Sequence, residues 1–313
     1  MYLFKMNHST LPIVLLHAFF SLLFFSCSNP GEEPDLTELD DPAELSLHKV
    51  VIALKANKNP EKMLAEKEAL ESYLSEKLNR VVEVLIPTDS SVVVESFRNG
   101  TLDLGYLSST DAARNLDQNT ASILLIHLKN DLPHYQSIWL SLKNKPYQSI
   151  DELKGAPVAF ASRSSTSGYL IPVWDLSNRG LVGPDIALTD FFSLTLYGTG
   201  YVSAVEKVLS GEVEAAAVSD YVFLGDNKYL NDSQKSRLQI IQQQGPVPSH
   251  TICVRSTLSD SDRKILKDAL LTMNQDAPSL RDQVFNGELM EVDEEQHLRV
   301  TREALEVQKI LKP

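Results

Sequence analysis

Residues 158–172 read Val158-Ala159-Phe160-Ala161-Ser162-Arg163-Ser164-Ser165-Thr166-Ser167-Gly168-Tyr169-Leu170-Ile171-Pro172, and the layout of the chain follows from this stretch. Val158 to Phe160 is a short apolar run of strand type. A hydroxyl-rich turn follows, then a helical pattern that ends near Gly180. A strand leading through a small turn into a helix is half of a β-α-β unit, the building block of a parallel, helix-covered sheet. The turn also carries chemistry. Exposed N–H groups at a helix start hold partial positive charge and favour anions. Ser165, Thr166 and Ser167 add short hydroxyl donors, and Gly168 lets the backbone approach a ligand without a Cβ in the way. Open α/β sheets bind ligands at this place, beyond the carboxyl ends of their strands. The same residues also fit an ordinary Ser/Thr helix cap.

The unit recurs on both sides. Val50 to Leu54 reads as a strand, and a helix with Leu70, Tyr73, Leu74 and Leu78 on one face follows it. Val81 to Ile86, a helical segment around Val93 and Phe97, and Leu102 to Leu107 complete a first β-α-β-α-β set. The pattern restarts with strands over 138–142 and 158–160, then 193–197, 215–218 and 238–241, with 251–254 the last clear one. Ser149-Ile150-Asp151-Glu152 has the form of a capping box. From Ser259 onward the chain reads as helices, with Ile265, Leu266, Ala269, Leu270 and Met273 forming a core stripe.

The N-terminus reads as an address. Lys5 precedes an apolar run, Leu11 to Phe25, interrupted by His17 and Ser21, and Ser26-Cys27 closes it. A short charged start, an apolar stretch of about 15 residues and a small residue at the cut describe an export signal. Phe24-Phe25-Ser26-Cys27 resembles a bacterial lipobox, which makes Cys27 the lipidated first residue of the mature chain. Residues 28–47 carry Pro30, Pro34 and Pro42 among many carboxylates, the composition of a disordered tether. The remaining cysteine, Cys253, lies in an apolar strand and reads as a packed core thiol.

Composition narrows the function. At 313 residues, the chain fits two lobes of ordinary size. A net charge of −13 without a basic stripe excludes a nucleic-acid binder. The histidines, among them His48, His127, His134, His250 and His297, have no metal-ligand spacing. Neither a GxSxG elbow nor a Walker loop is present. A hydrolase of phosphorus esters needs a metal cluster or an activated nucleophile, so the chain reads as a non-catalytic binder that needs no metal and no cofactor.

In ordered segments the chain resembles the phosphate/phosphonate/phosphite-binding subunits of ABC transporters. Asp151-Glu152-Leu153-Lys154-Gly155 resembles the family's "DLKG" turn, and Ser165 to Pro172 resembles its "STSGYLVP". Leu70 to Val84, Gly100 to Tyr106, His134-Tyr135-Gln136-Ser137, Gly211 to Val218 and Gly245-Pro246-Val247-Pro248 follow family segments in the same order. The likeness covers residues 48–308.

The resemblance implies an α/β, two-lobed fold of the type II periplasmic-binding-protein kind, each lobe a sheet covered by helices. The N-terminal pattern and composition give a signal peptide over 1–26 and a tether over 27–47. Lobe 1 is then 48–137 plus 252–313, and lobe 2 is 138–251. A two-strand hinge is expected near 137–141 and 249–254. A small phosphorus oxyanion would sit between the lobes, held by Ser165, Thr166, Ser167 and Gly168, with Tyr135 reaching in from the crossing. At four family positions the chain departs: Ser90 stands for a tyrosine, Tyr201 for a histidine, and Tyr221 and His250 for the carboxylates that hold an amine. Lys55 and Arg163, at strand ends, are candidate cations for a dianion. The implied protein is a lipid-anchored, extracytoplasmic monomer serving an ABC permease. A binding protein for a membrane sensor kinase would share all of these features.

Overall fold

The computed structural model describes residues 44–55, 60–87, 90–225 and 229–312, without the side chains of residues 60–62, 90 and 91. The expected signal peptide, Cys27 and the tether up to residue 43 lie outside the described residues.

β1 (Lys49–Ala53), α1 (Pro60–Leu78), β2 (Val81–Leu85), α2 (Ser90–Arg98), β3 (Leu104–Leu107), α3 (Ser109–Asp117) and β4 (Ala121–His127) build most of the first sheet. The chain then crosses. β5 (His134–Leu142), β6 (Pro157–Phe160), α4 (Ile171–Asn178), α5 (Leu188–Phe191), β7 (Leu194–Tyr197), α6 (Tyr201–Leu209), β8 (Ala215–Ser219), α7 (Asp220–Leu224), α8 (Asp232–Ser236) and β9 (Leu238–Pro248) make the second. It returns through β10 (Thr251–Arg255), α9 (Asp260–Asp276), α10 (Pro278–Phe285), β11 (Leu289–Met290) and α11 (Glu294–Ile310).

The sheet orders are β11-β4-β10-β3-β1-β2 and β7-β6-β8-β5-β9. In both, three strands run parallel and a strand arriving from the other lobe is inserted antiparallel beside them: β10 next to β3, and β5 next to β8. Separate apolar clusters cover the two faces of each sheet. One in lobe 1 gathers Leu70, Val84, Ile252 and Leu266, and one in lobe 2 gathers Trp139, Phe160, Leu176 and Phe192. The expected two-lobed α/β architecture is therefore present.

Three boundaries move. The first crossing lies at 128–133, not 137–141, because β5 is already paired with β9 from His134↔Pro248 onward. Its polar head, His134-Tyr135-Gln136-Ser137, hides the start of the strand from an apolar reading. The second crossing is only Ser249-His250, since Thr251 begins β10 in the first sheet. Residues 44–47, expected in the tether, belong to the folded part. Leu45 is buried in the lobe 1 core, Ser46 bonds the Asp262 carboxylate through its N–H (2.8 Å) and hydroxyl (2.6 Å), and Arg80 holds the Leu45 and Leu47 carbonyls.

The C-terminal helix also departs from its expected place in lobe 1. Along α11, Leu298 joins a lobe 1 cluster and Ala304 a lobe 2 cluster. His297 Nε2 donates to the Ser249 carbonyl at the crossing (3.0 Å), and Lys312 reaches Asp190 in lobe 2 (3.5 Å). The helix straddles the two lobes because its apolar residues continue past the end of lobe 1. Among the described residues no helix is long and apolar enough to cross a membrane.

Candidate functional site

The parallel strands β1, β3, β6 and β8 end towards the space between the lobes, where an open α/β sheet binds ligands. The loop after β6 is the best-built of these ends. Ser165 is the N-cap of a single π turn, Thr166–Leu170, that continues into α4. Its Oγ accepts the Gly168 N–H at 3.0 Å, and the Ala161 N–H donates to the Gly168 carbonyl at 3.0 Å. The helix-cap reading thus holds for Ser165. Gly168 is needed for packing: a Cβ there would stand 2.4 Å from the Ala161 Cβ and 3.2 Å from the Ala217 carbonyl oxygen. The glycine fastens the helix start to the sheet, a different duty from the ligand approach expected of it.

Four hydroxyls converge on this helix start. Tyr201 Oη, on the first residue of α6, lies 2.9 Å from Ser167 Oγ. Tyr135 Oη, from β5, donates to the same Oγ at 3.4 Å, and Tyr221 Oη, from α7, donates to Tyr201 Oη at 3.4 Å. All four residues are buried. Burial pushes the Tyr135 and Tyr221 phenols well above their usual 10, so both remain O–H donors. Behind them, Ser137 Oγ donates to the Ser167 carbonyl (2.6 Å) and itself accepts from Gln244 Nε2 (2.6 Å). His250 lies nearly parallel to the Tyr135 ring, with centroids 6.1 Å apart, and also packs on Tyr106 (5.4 Å) and His127 (5.8 Å). This aromatic run carries the site wall from lobe 2 across the crossing into lobe 1. The cluster can present neutral O–H groups and helix-start N–H groups to an oxyanion, with little fixed charge to desolvate.

The structure therefore brings together Ser165, Thr166, Ser167, Gly168, Tyr135, Tyr201, Tyr221 and His250. Lys55, at the end of β1, pairs with Asp111 at 3.6 Å on the first turn of α3. Ser90 heads α2, and its side chain is not described. Arg163 is not at this site. Its guanidinium lies 4.1 Å from the Tyr197 ring centroid, beside a separate cavity of about 280 Å³ that Leu311 and Lys312 also line.

Sequence reasoning missed the lobe 1 side of the site, Ser108-Ser109-Thr110. Ser108 caps α3 and accepts the Asp111 N–H at 3.2 Å. Ser109 and Thr110 reach across to Thr166 (2.8–3.1 Å), and the Ser108 hydroxyl reaches the Ser164 carbonyl (3.2 Å). The available signal was Ser108-x-x-Asp111 directly after a strand, close to a capping box in form.

Next to Tyr221 a cavity of about 550 Å³ separates the lobes, with Lys129, Asp131, Asp220, Tyr229, Arg281 and Glu288 on its walls. Asp220 thus stands beside the site, one residue from the position read as amine-binding. Its carboxylate accepts the N–H groups of Gln136 (3.2 Å) and Tyr221 (2.7 Å), and burial raises its pKa above the ordinary 3.8. Among the described residues no group of three or more His, Cys, Asp or Glu is placed to hold a metal.

Comparison with known proteins gives concordant results. A family model described as "ABC transporter, phosphonate, periplasmic substrate-binding protein" matches residues 52–295. Among solved structures, a Prochlorococcus marinus protein in complex with methylphosphonate is 19% identical, with a TM-score of 0.73 over 84% of this chain and 99% of that one. A binding component of an ABC phosphonate transporter from Pseudomonas aeruginosa is 17% identical, with a TM-score of 0.70 over 84% and 87%. A Xanthomonas citri protein bound to ATP is 20% identical, with a TM-score of 0.67 over 84% and 98%. Each has the same two-lobed fold.

Proposed function

Because the chain belongs to the family of periplasmic phosphonate-binding subunits of ABC transporters, matched over residues 52–295, we propose that it captures a small phosphorus oxyanion between its lobes and delivers it to a permease. The ligand class is phosphate, phosphite or a simple alkylphosphonate. The observation that carries this reading is the convergence of the Ser167, Tyr135, Tyr201 and Tyr221 hydroxyls on one helix start. The Ser165–Gly168 turn supplies N–H and hydroxyl groups to the phosphoryl oxygens. The tyrosines complete the shell, His250 walls it, and Lys55 and Ser90 stand at the lobe 1 rim. Affinity comes from fixed neutral donors, each worth about 1.5–3 kcal/mol towards a charged acceptor. An ammonium on the ligand would meet Tyr221 and His250, while both oxygens of Asp220 already accept backbone N–H groups. Aminoalkylphosphonates therefore gain nothing over methylphosphonate. The protein works as a monomer held to the membrane by a lipid on Cys27.

Titration calorimetry of phosphate, phosphite, methylphosphonate, 2-aminoethylphosphonate and sulfate tests this reading. Ser167→Ala should weaken the best phosphorus ligand by roughly ten- to a hundredfold with the fold intact. Wild-type affinity in that variant, or no binding of any phosphorus oxyanion, would refute the proposed seat.

A further inference from the structure

Arg163 stands apart from the cleft and, among the described residues, makes no ion pair. In a chain with 42 acidic residues against 29 basic ones, a cation left without a carboxylate calls for a reason. Its guanidinium lies over the Tyr197 ring, 4.1 Å from the centroid, at a cavity of about 280 Å³. That ring is held in place. Tyr197 stacks on Phe160 (5.8 Å) and meets Tyr169 edge-on (5.7 Å), and both neighbours are buried in lobe 2. A guanidinium over a ring face keeps its five N–H groups around its edge, available to an oxyanion. Burial pushes the Tyr197 phenol up to about 12, so it remains an O–H group at neutral pH.

Three segments distant in sequence build this cavity: 163–169, 182–197 and 308–312. Val182 is buried, Leu188 and Leu311 are half-buried, and together they give apolar walls. Ile186, 41% exposed, stands at the mouth. The C-terminal segment is fixed there, because the Lys312 N–H donates to the Gly183 carbonyl at 3.2 Å. The Lys312 ammonium lies 3.5 Å from Asp190. It has three hydrogens, so this one contact leaves two for another acceptor. The volume falls just below the range of small-molecule sites, which begins at about 300 Å³, and so suits a compact ligand.

We infer that this cavity is a second binding site, separate from the inter-lobe cleft, for a small organic carboxylate with an apolar body. The carboxylate takes the edge of the Arg163 guanidinium, whose paired N–H groups match its two oxygens, with Lys312 as the second cation. The apolar body lies against Val182, Leu188 and Leu311. Inorganic phosphate has no apolar part to cover these walls, and a neutral amide has no charge for the cations.

Benzoate is the probe. Ligand-observed NMR titration of the full-length protein should show benzoate bound, with the same affinity when methylphosphonate is present in excess. Benzamide and acetate should each bind far more weakly, since one lacks the charge and the other the apolar body. Arg163→Gln should weaken benzoate by about tenfold. Ile186→Trp, a second variant at an exposed position, should fill the mouth and abolish binding. Lys154→Gln, which removes an exposed cation elsewhere on the same lobe, should leave benzoate affinity unchanged. Absence of benzoate binding would overturn the site, as would equal binding of benzamide. Displacement by methylphosphonate would put benzoate in the cleft and overturn it too. Wild-type affinity in both Arg163→Gln and Ile186→Trp, or an equal loss in Lys154→Gln, would do the same.

Discussion

The Ser137 hydroxyl donates to the Ser167 carbonyl across 2.6 Å, joining a crossing strand to the helix start at the centre of the site. Gln244 holds the same hydroxyl from β9 at 2.6 Å. Ser137→Ala would leave the Ser167 carbonyl and the Gln244 amide without this partner in a buried setting. The expected cost is about 1–3 kcal/mol of stability, read as a lower urea midpoint, together with weaker ligand binding. A variant with wild-type midpoint and affinity would show that the Ser167 position is fixed without this bond.

Gly168→Ala should act on folding before it acts on ligand. The new Cβ would stand 2.4 Å from the Ala161 Cβ, with the Ala217 carbonyl oxygen 3.2 Å away on the other side. Overpacking of this kind costs about 1–3 kcal/mol, visible as a lower melting temperature without ligand. Normal melting combined with lost binding would return the glycine to the role of admitting the ligand.

His297 makes stability depend on pH. Burial lowers its pKa below the ordinary 6.5, and its Nε2–H donates to the Ser249 carbonyl. The unfolded chain therefore binds more protons than the native one between the lowered value and 6.5. The contribution is fully present above 6.5 and is lost as the pH falls below it. Urea midpoints measured from pH 5 to 7.5 should fall on the acid side, with a shallower fall in His297→Gln. An equally steep profile in the variant would assign the dependence to another group.

Cys27→Ala tests the anchor read from the N-terminus. The altered protein should leave the membrane fraction or remain unprocessed, as assayed by fractionation and mass spectrometry. An unmodified wild-type chain, free in the periplasm, would contradict lipidation.

The lobes were legible because β-α units repeat and because their core strands are continuous apolar runs. The hydroxyl-rich turn was legible because hydroxyl-bearing residues at a helix start carry local information. What escaped was set by partners distant in sequence. β4 contains the run Ile123-Leu124-Leu125-Ile126, yet its identity as a strand depends on β10, more than a hundred residues away. β9 extends through Gln242-Gln243-Gln244 because β5 pairs with them, although polar residues hide the strand. Arg163 could not be placed from sequence, since its stacking on Tyr197 depends on where β7 brings that ring. The contact between Thr110 and Thr166 was hidden for the same reason, because only the fold brings residues 56 positions apart together.

The placement of β10 sets an order of assembly. Residues 134–248 form one uninterrupted segment containing every strand of the second sheet, so this lobe can fold as soon as it emerges. The first sheet has no such independence. Its strand β10 lies between β3 and β4 and pairs with both, but it is synthesised after the entire other lobe. Until then β3 and β4 present open edges to any competing strand. The first strands of lobe 1 precede lobe 2 and its sheet is the last to be finished, so the nascent protein must keep those strands from premature pairing while the second lobe is made.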